Sequence, residues 1–261
     1  MTRQFKLVNE KGLEYNLMDI NNNCLLTSPS GLGYSYNTDY IQLGNTFIEN
    51  IRNIEQGKIA GTLLFQTYDA VKAFGDYIEN SEKLYFYYTI PLKDGIETYC
   101  KDIQLSTLSK TEKDTETGVL KCDIEFNCLT LWYKSSINYE QNQLIINHGH
   151  ISAPIEVEID GKVVNPHIQL YVEDTLFQDV VFNTTINEYE KLLYGSKENN
   201  FYINRQKTDG TLQSLEDLTI IDFNRDNVIR IPKNKNCKLK LIADTDINNS
   251  KILAYEYYKI I

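Results

Sequence analysis

Apolar and polar residues alternate along most of this chain, and the dominant period is two. In Cys122-Asp123-Ile124-Glu125-Phe126-Asn127-Cys128 every second side chain is apolar. A strand with that pattern carries Cys122, Ile124, Phe126 and Cys128 on one face. Phe5 and Leu7, then Tyr15 and Leu17, flank the polar stretch Asn9-Glu10-Lys11-Gly12 and predict a hairpin. Three Asp-Gly pairs mark further hairpins, because Asp-Gly tolerates the positive φ angles of tight turns. They are Asp94-Gly95, between Leu84–Ile90 and Ile96–Ile103; Asp160-Gly161, between Ile155–Ile159 and Lys162–Val164; and Asp209-Gly210, between Phe201–Ile203 and Leu212–Leu215. The Asn21–Asn23 run reads as a turn. Helical spacing is scarce. From Tyr68 to about Ile78, Val71, Phe74 and Ile78 share a face and Thr67 can cap the first turn. Asn187–Tyr194 is the second candidate helix, short and ended by Gly195. The fold class is mainly β, with one or two short helices.

The chain has 261 residues, room for two ordinary domains. The polar segment Lys134–Gln143 follows Trp132-Tyr133, and β patterning resumes at Leu144. The expected division is residues 1–133 and 134–261, with the boundary after Trp132-Tyr133. Hydrophobic residues make up 42% of the chain, enough for a packed core. The formal net charge is -10 and no basic run occurs, which excludes a nucleic-acid binder held by clustered Lys and Arg. The first residues lack the apolar core of a signal peptide. No apolar run reaches the ~18–20 residues of a membrane span. The reading is a soluble protein made in a cytoplasm, with no membrane partner. Asn (26 residues) and Lys (21) far outnumber Arg (5), the coding bias of an AT-rich genome.

Candidate chemistry is sparse. The cysteines Cys24, Cys100, Cys122, Cys128 and Cys237 are odd in number and include no Cys-x-x-Cys, so they read as buried core thiols. His148 and His150, with His167, could supply three zinc ligands. The local sequence Asn147-His148-Gly149-His150 reads as a turn instead, and His167 as a strand-edge residue. Glu156/Glu158 and Glu188/Glu190 are spaced like paired carboxylates, but the first pair sits beside a tight turn and is expected to be solvated. Gly31-Leu32-Gly33 lacks the Gly-Lys-Ser/Thr of a phosphate loop. The chain is therefore read as a non-enzyme with no catalytic, cofactor-binding or metal residues. The strand Leu84–Tyr88 is aromatic on both faces, so both are expected to be covered, by the Tyr68–Ile78 helix on one side and a strand or subunit on the other. Trp132 is expected to anchor the core, its indole N–H meeting an acceptor.

An ordered set of residues in the first half is more specific. It begins with Phe5-x-Leu7-x-Asn9-x-x-Gly12-x-x-Tyr15-x-Leu17, then Leu26-x-x-Pro29-x-Gly31-Leu32-Gly33, Tyr40 and Gly44. Gly61-Thr62-Leu63-Leu64-Phe65, the helix with Tyr68, Phe74 and Ile78, and Leu84-Tyr85-Phe86-Tyr87-Tyr88 follow. Tyr99-Cys100-Lys101-Asp102-Ile103, Leu108-x-Lys110-x-Glu112, Leu120 and Phe126-x-x-Leu129-x-x-Trp132-Tyr133 close it. This pattern resembles the distal tail protein (Dit) family of long-tailed, non-contractile phages of Gram-positive bacteria. The resemblance implies an N-terminal belt domain of β-sandwich type with one helix, and a C-terminal galectin-like β-sandwich. It implies a virion tail tip where six copies form a homohexamer ring, a hub that joins the tail tube protein to the tail-associated lysin or fibre and in many phages carries a receptor-binding protein. Two alternatives stand beside it: a carbohydrate-binding module, with Tyr171, Tyr189, Tyr194 or Tyr202 stacking on a sugar, and the equivalent part of a phage-derived tail-like particle.

Overall fold

The computed structural model describes residues 3–19, 23–134, 136–197, 200–215 and 228–261. Asn21 and Asn22 of the expected asparagine turn lie outside them; Asn23 is in a turn, with φ of +50°. The chain divides into two compact units: Met1–Tyr133 with Lys259–Ile261, and Lys134–Tyr258.

The first unit contains β1 (Gln4–Asn9), β2 (Glu14–Asn16), β3 (Met18–Asp19), β4 (Cys24–Ser30), β5 (Tyr36–Leu43), β6 (Thr46–Ile54), β7 (Lys58–Phe65), α1 (Tyr68–Glu79), β8 (Leu84–Leu92), β9 (Gly95–Leu108), β10 (Leu120–Cys128) and the start of β11 (Trp132–Lys134). Eight of these strands pair in the order β2-β1-β8-β9-β10-β7-β4-β3. The pairings are antiparallel and keep the apolar residues in step. Leu7 lies opposite Phe86, Leu84 opposite Ile103, Cys128 opposite Ile103, Phe126 opposite Ile59, and Cys122 between Leu63 and its neighbours. All of these side chains are buried. The opposite face carries ion pairs, Lys6–Glu14 at 2.6 Å and Lys58–Glu125 at 2.8 Å. The two ends of the sheet meet at Leu17. Its N–H donates to the Phe5 carbonyl (2.9 Å), and its carbonyl accepts from the Leu26 N–H (2.7 Å). The sheet is thus curled on itself with its apolar face inward.

The helix and the tryptophan fill that interior. Thr67 Oγ1 accepts from the Ala70 N–H at 3.1 Å, the cap expected from the sequence. Ala70, Phe74 and Ile78 are buried, and Phe74 packs on Tyr15 and Phe65 with ring centroids 5.1 and 5.7 Å apart. Trp132 is fully buried between Phe86 and Tyr88 (6.3 and 6.0 Å), and its indole N–H donates to the Leu32 carbonyl at 2.8 Å.

The second unit contains β12 (Ile137–Tyr139), β13 (Leu144–Ile146), β14 (Ala153–Asp160), β15 (Val163–Val164), β16 (His167–Val172), β17 (Thr175–Val181), β18 (Thr185–Ile186), β19 (Lys191–Lys197), β20 (Asn200–Gln206), β21 (Leu212–Ser214), β22 (Arg230–Ile231), β23 (Asn236–Ile242), β24 (Ser250–Ala254) and β25 (Tyr257–Tyr258). One sheet runs β12-β24-β14-β19-β20-β21 and another β13-β23-β16-β17. A single buried cluster draws Ile155, Val157, Tyr194 and Ile252 from the first and Ile168, Leu170, Leu239 and Leu241 from the second. Two sheets sharing one core make a β-sandwich.

Three local expectations are corrected. Asn187–Tyr194 is not a helix. Asn187–Glu190 turns, with the Glu190 carboxylate accepting from the Asn187 N–H at 2.9 Å, and β19 begins at Lys191. Leu192 and Tyr194 are buried with period two, and that burial overrides the local helical spacing. Asp160-Gly161 does not close a hairpin onto Val163–Val164. There β14 pairs with β19 and β24, while β15 pairs with β18; the Gly161 N–H is taken by the Glu190 carbonyl. The Asp94-Gly95 hairpin is present as expected, with Lys93 and Asp94 as its two loop residues, since Leu92 faces Gly95. Strand structure resumes before Leu144, because β12 within Lys134–Gln143 pairs with β24.

Gly12 and Gly31 share a φ of +75°, yet their surroundings differ. A Cβ at Gly12 meets open space; one at Gly31 would overlap the Lys58 carbonyl of the neighbouring β7. Gly12→Ala is therefore expected to lose only the strain of a positive φ, about 1 kcal/mol. Gly31→Ala adds backbone overlap and is expected to lose several times that. Urea unfolding of the two variants checks the order, and equal losses would contradict the packing described for Gly31.

Candidate assembly surface

Among the described residues, the strands β5 and β6 pair only with each other. Their register runs from Tyr36 opposite Ile54 to Leu43 opposite Thr46, leaving Gly44-Asn45 as a two-residue turn. Gly44 has a φ of +61°, which glycine adopts freely at the first position of such a turn. A bulge opposite Asp39 and Tyr40 makes Asn50 the extra residue. Beyond it, Ile41, Leu43, Ile48 and Ile51 fall on one face of the ribbon, and Tyr40 and Phe47 on the other.

These side chains lie in the open. Every residue of β6 is exposed; Phe47 is 66% exposed, and Tyr40 and Leu43 are each 60% exposed. Among the described residues, no side chain from Asn37 to Asn53 makes a hydrogen bond or ion pair outside the ribbon. The base is the fixed part. Tyr36 has the Arg52 guanidinium 3.8 Å from its ring centroid, Tyr34 edge-on at 5.3 Å, and the Lys259 ammonium donating to its hydroxyl at 2.8 Å. That ammonium holds the Tyr36 phenol below its ordinary pKa. The ribbon is therefore an arm, anchored at its base and apolar on both faces at its tip.

Residues 4–129, which hold the curled sheet and the whole arm, match the model of the distal tail protein N-terminal domain. The chain therefore carries a distal tail protein N-terminal domain. Solved structures agree in fold over its whole length. A chain of the phage p2 baseplate in its activated conformation with Sr has a TM-score of 0.69 at 15% identity, with 100% of each chain covered. The same baseplate with Ca gives 0.68 at 16%, again with 100% of each covered. The SPP1 Dit protein gives 0.63 at 12%, covering 97% of this chain and 98% of that one. No curated protein matches the chain. With that domain, the chain is a structural component of a phage tail.

Against that family background, the residues singled out for chemistry are scattered. The His148 N–H donates to Glu256 Oε1 at 2.9 Å, the His150 ring lies 5.4 Å from Tyr258, and His167 Nδ1 is 3.3 Å from Asp179 Oδ1. His148 and His150 are in a turn as expected, but His167 lies on β16, between β23 and β17, and not at an edge. Among the described residues, no three His, Cys, Asp or Glu side chains converge on a metal-sized site. Glu156 and Glu158 are not simply solvated. Glu156 accepts from the Tyr255 hydroxyl at 2.7 Å and faces Lys197 at 3.2 Å, and Glu158 pairs with Lys191. Of the tyrosines considered for sugar stacking, Tyr194 is fully buried and cannot stack, Tyr189 is exposed, and Tyr171 and Tyr202 are half-buried. All five cysteines are buried and outside any disulfide. On β8 the inner residues Leu84 and Phe86 are covered, while Tyr85 and Tyr87 on the outer face are only half-buried.

The arm was not marked as a hairpin by the sequence reading, although Tyr40 and Gly44 were part of the family pattern. The signal was available: Gly-Asn stands between Tyr40-Ile41-Gln42-Leu43 and Thr46-Phe47-Ile48. Because Phe47 is largely exposed, Phe47→Glu is expected to change unfolding stability by less than about 0.5 kcal/mol. Phe74→Ala, in the core, is expected to lose about 3–5 kcal/mol. Denaturant titration of the monomer compares them, and a large loss for Phe47→Glu would mean that the arm tip is folded onto its own chain.

Proposed function

We infer that this chain is the ring-forming hub of a phage tail tip. Six copies close a ring whose belt is the first unit. The tail tube protein docks on one side and the tail-associated lysin or fibre on the other, with a receptor-binding protein as a further passenger. The observation that carries this reading is the arm. An isolated two-stranded ribbon is only marginally stable in water, and this one exposes apolar side chains on both faces and two unpaired strand edges. Such a surface is an aggregation hazard unless a partner covers it. A second copy is the partner at hand. An arm that reaches a different surface on the next copy makes a head-to-tail contact, and head-to-tail contacts generate rings when the rotation closes. The relatives support the reading: the p2 chains are parts of a baseplate, and the SPP1 protein is described as a paradigm of the hub adsorption apparatus in phages that infect Gram-positive bacteria.

The charge fits a conduit. At -10 per chain, a ring of this protein can line its channel without a basic wall that would hold passing DNA. Purified protein is expected not to retard double-stranded DNA at physiological salt; tight binding there would contradict this use of the charge. Native mass spectrometry and electron microscopy of the full-length protein test the ring itself. Six-membered rings are expected at high protein concentration or in isolated tail tips, because closure follows mass action. The double variant Ile41→Glu, Phe47→Glu is expected to stay monomeric with an unchanged circular dichroism spectrum. Rings that persist in that variant would remove the arm from the interface, and a single copy per tail would overturn the hub.

A further inference from the structure

Lys101 lies on the inner face of the curled sheet, the face that also carries Ile103 and Phe86. It sits opposite Phe86 on β8, and its residue is 2% exposed. Its ammonium nitrogen is 3.7 Å from the Cys128 Sγ and 4.8 Å from the Trp132 ring centroid. Among the described residues it has no carboxylate partner, since the thiol is its one hydrogen-bonding contact. Cys128 is itself buried, on the adjacent strand β10 and diagonal to Lys101, because Cys128 faces Ile103. That diagonal relation brings long side chains within reach. Gly57 closes the pocket from above. Its carbonyl accepts from the Cys128 N–H at 2.8 Å, and a Cβ on it would stand 3.7 Å from the sulfur and 3.9 Å from the lysine nitrogen.

A buried charge without a counter-charge is strongly disfavoured. Burial accordingly pushes the Lys101 pKa down and the Cys128 pKa up. Burial thus favours the neutral amine, whose lone pair is free, and the neutral thiol. No other cysteine competes for this sulfur. Cys122 is six residues away along the same strand, roughly 20 Å at the strand rise, and Cys100 is on the opposite face of β9.

We propose that Lys101 and Cys128 form a reversible covalent nitrogen–oxygen–sulfur bridge when the protein meets molecular oxygen, a redox staple between β9 and β10. The step balances with one dioxygen: the amine and the thiol each lose hydrogen, N–O and O–S bonds form to one oxygen atom, and the second oxygen leaves as water. The sulfur and the nitrogen each give up two electrons, and dioxygen takes all four. A thiol reductant reverses it. The staple closes the loop from residue 101 to residue 128 and restrains the unfolded chain as a disulfide would. It would therefore strengthen the protein only after it leaves a reducing cytoplasm.

The test uses the full-length protein, with one portion kept anaerobic with reductant and one held in air-saturated buffer. Both are digested with trypsin without reduction and read by mass spectrometry. In the aerobic portion, cleavage after Lys101 should be blocked and residues 94–110 should be joined to residues 122–134. The joined mass should be the sum of the two peptides plus one oxygen and less two hydrogens. Reductant should restore both peptides, and Cys128→Ser should abolish the link. Quantitative alkylation of Cys128 after aerobic incubation would overturn the proposal. So would its conversion to sulfinic acid with normal cleavage at Lys101.

Discussion

The first unit depends on Leu17. Its backbone N–H and carbonyl join β1 to β4 across what would otherwise be two open sheet edges. Closure is what lets a sheet with one apolar face exist without a second sheet against it. Each strand keeps its apolar residues in register with those of its neighbours, so curling the sheet turns one face into a core. The helix then needs to bury only Ala70, Phe74 and Ile78, and Trp132 fills the space beside Phe86. The outer face, left in water, carries Lys6, Glu14, Lys58 and Glu125 as ion pairs.

The arm breaks that rule. It leaves the closed sheet between β4 and β7, and its apolar residues have no interior to turn toward. A closed core beside an open apolar ribbon is the arrangement expected of a part that finishes folding its surface on assembly. The second unit follows the ordinary solution, with two sheets sharing one buried cluster. In that unit Glu156 pairs with Lys197 and accepts from the Tyr255 hydroxyl.

Much of the fold was legible because it rests on local pattern. The alternation from Cys122 to Cys128, the Thr67 cap and the Asn9–Gly12 turn each state their structure in adjacent residues. What was not legible depends on partners distant in sequence. Asn187–Tyr194 has helical spacing, but Leu192 and Tyr194 are claimed by a core formed with Ile155 and Ile252. Gly161 looks like a hairpin turn until the Glu190 carbonyl takes its N–H. Lys101 reads as a surface residue in any local window, and only the register of β9 against β8 turns it inward. The family pattern in the first half was readable from the order of its residues. The exposure of the arm was not, because nothing in a sequence distinguishes an apolar residue facing a core from one awaiting a partner.

The account turns on that last distinction, and amide hydrogen exchange measures it directly. Exchange is compared between dilute free protein and protein assembled in tail tips. The arm, residues 36–54, should exchange rapidly in the free protein, since both of its strand edges are open to water. On assembly it should become among the most protected segments, while the core strands β8 to β10 change little. Rapid exchange of the arm in the assembled tail would contradict the claim that it joins one copy to the next.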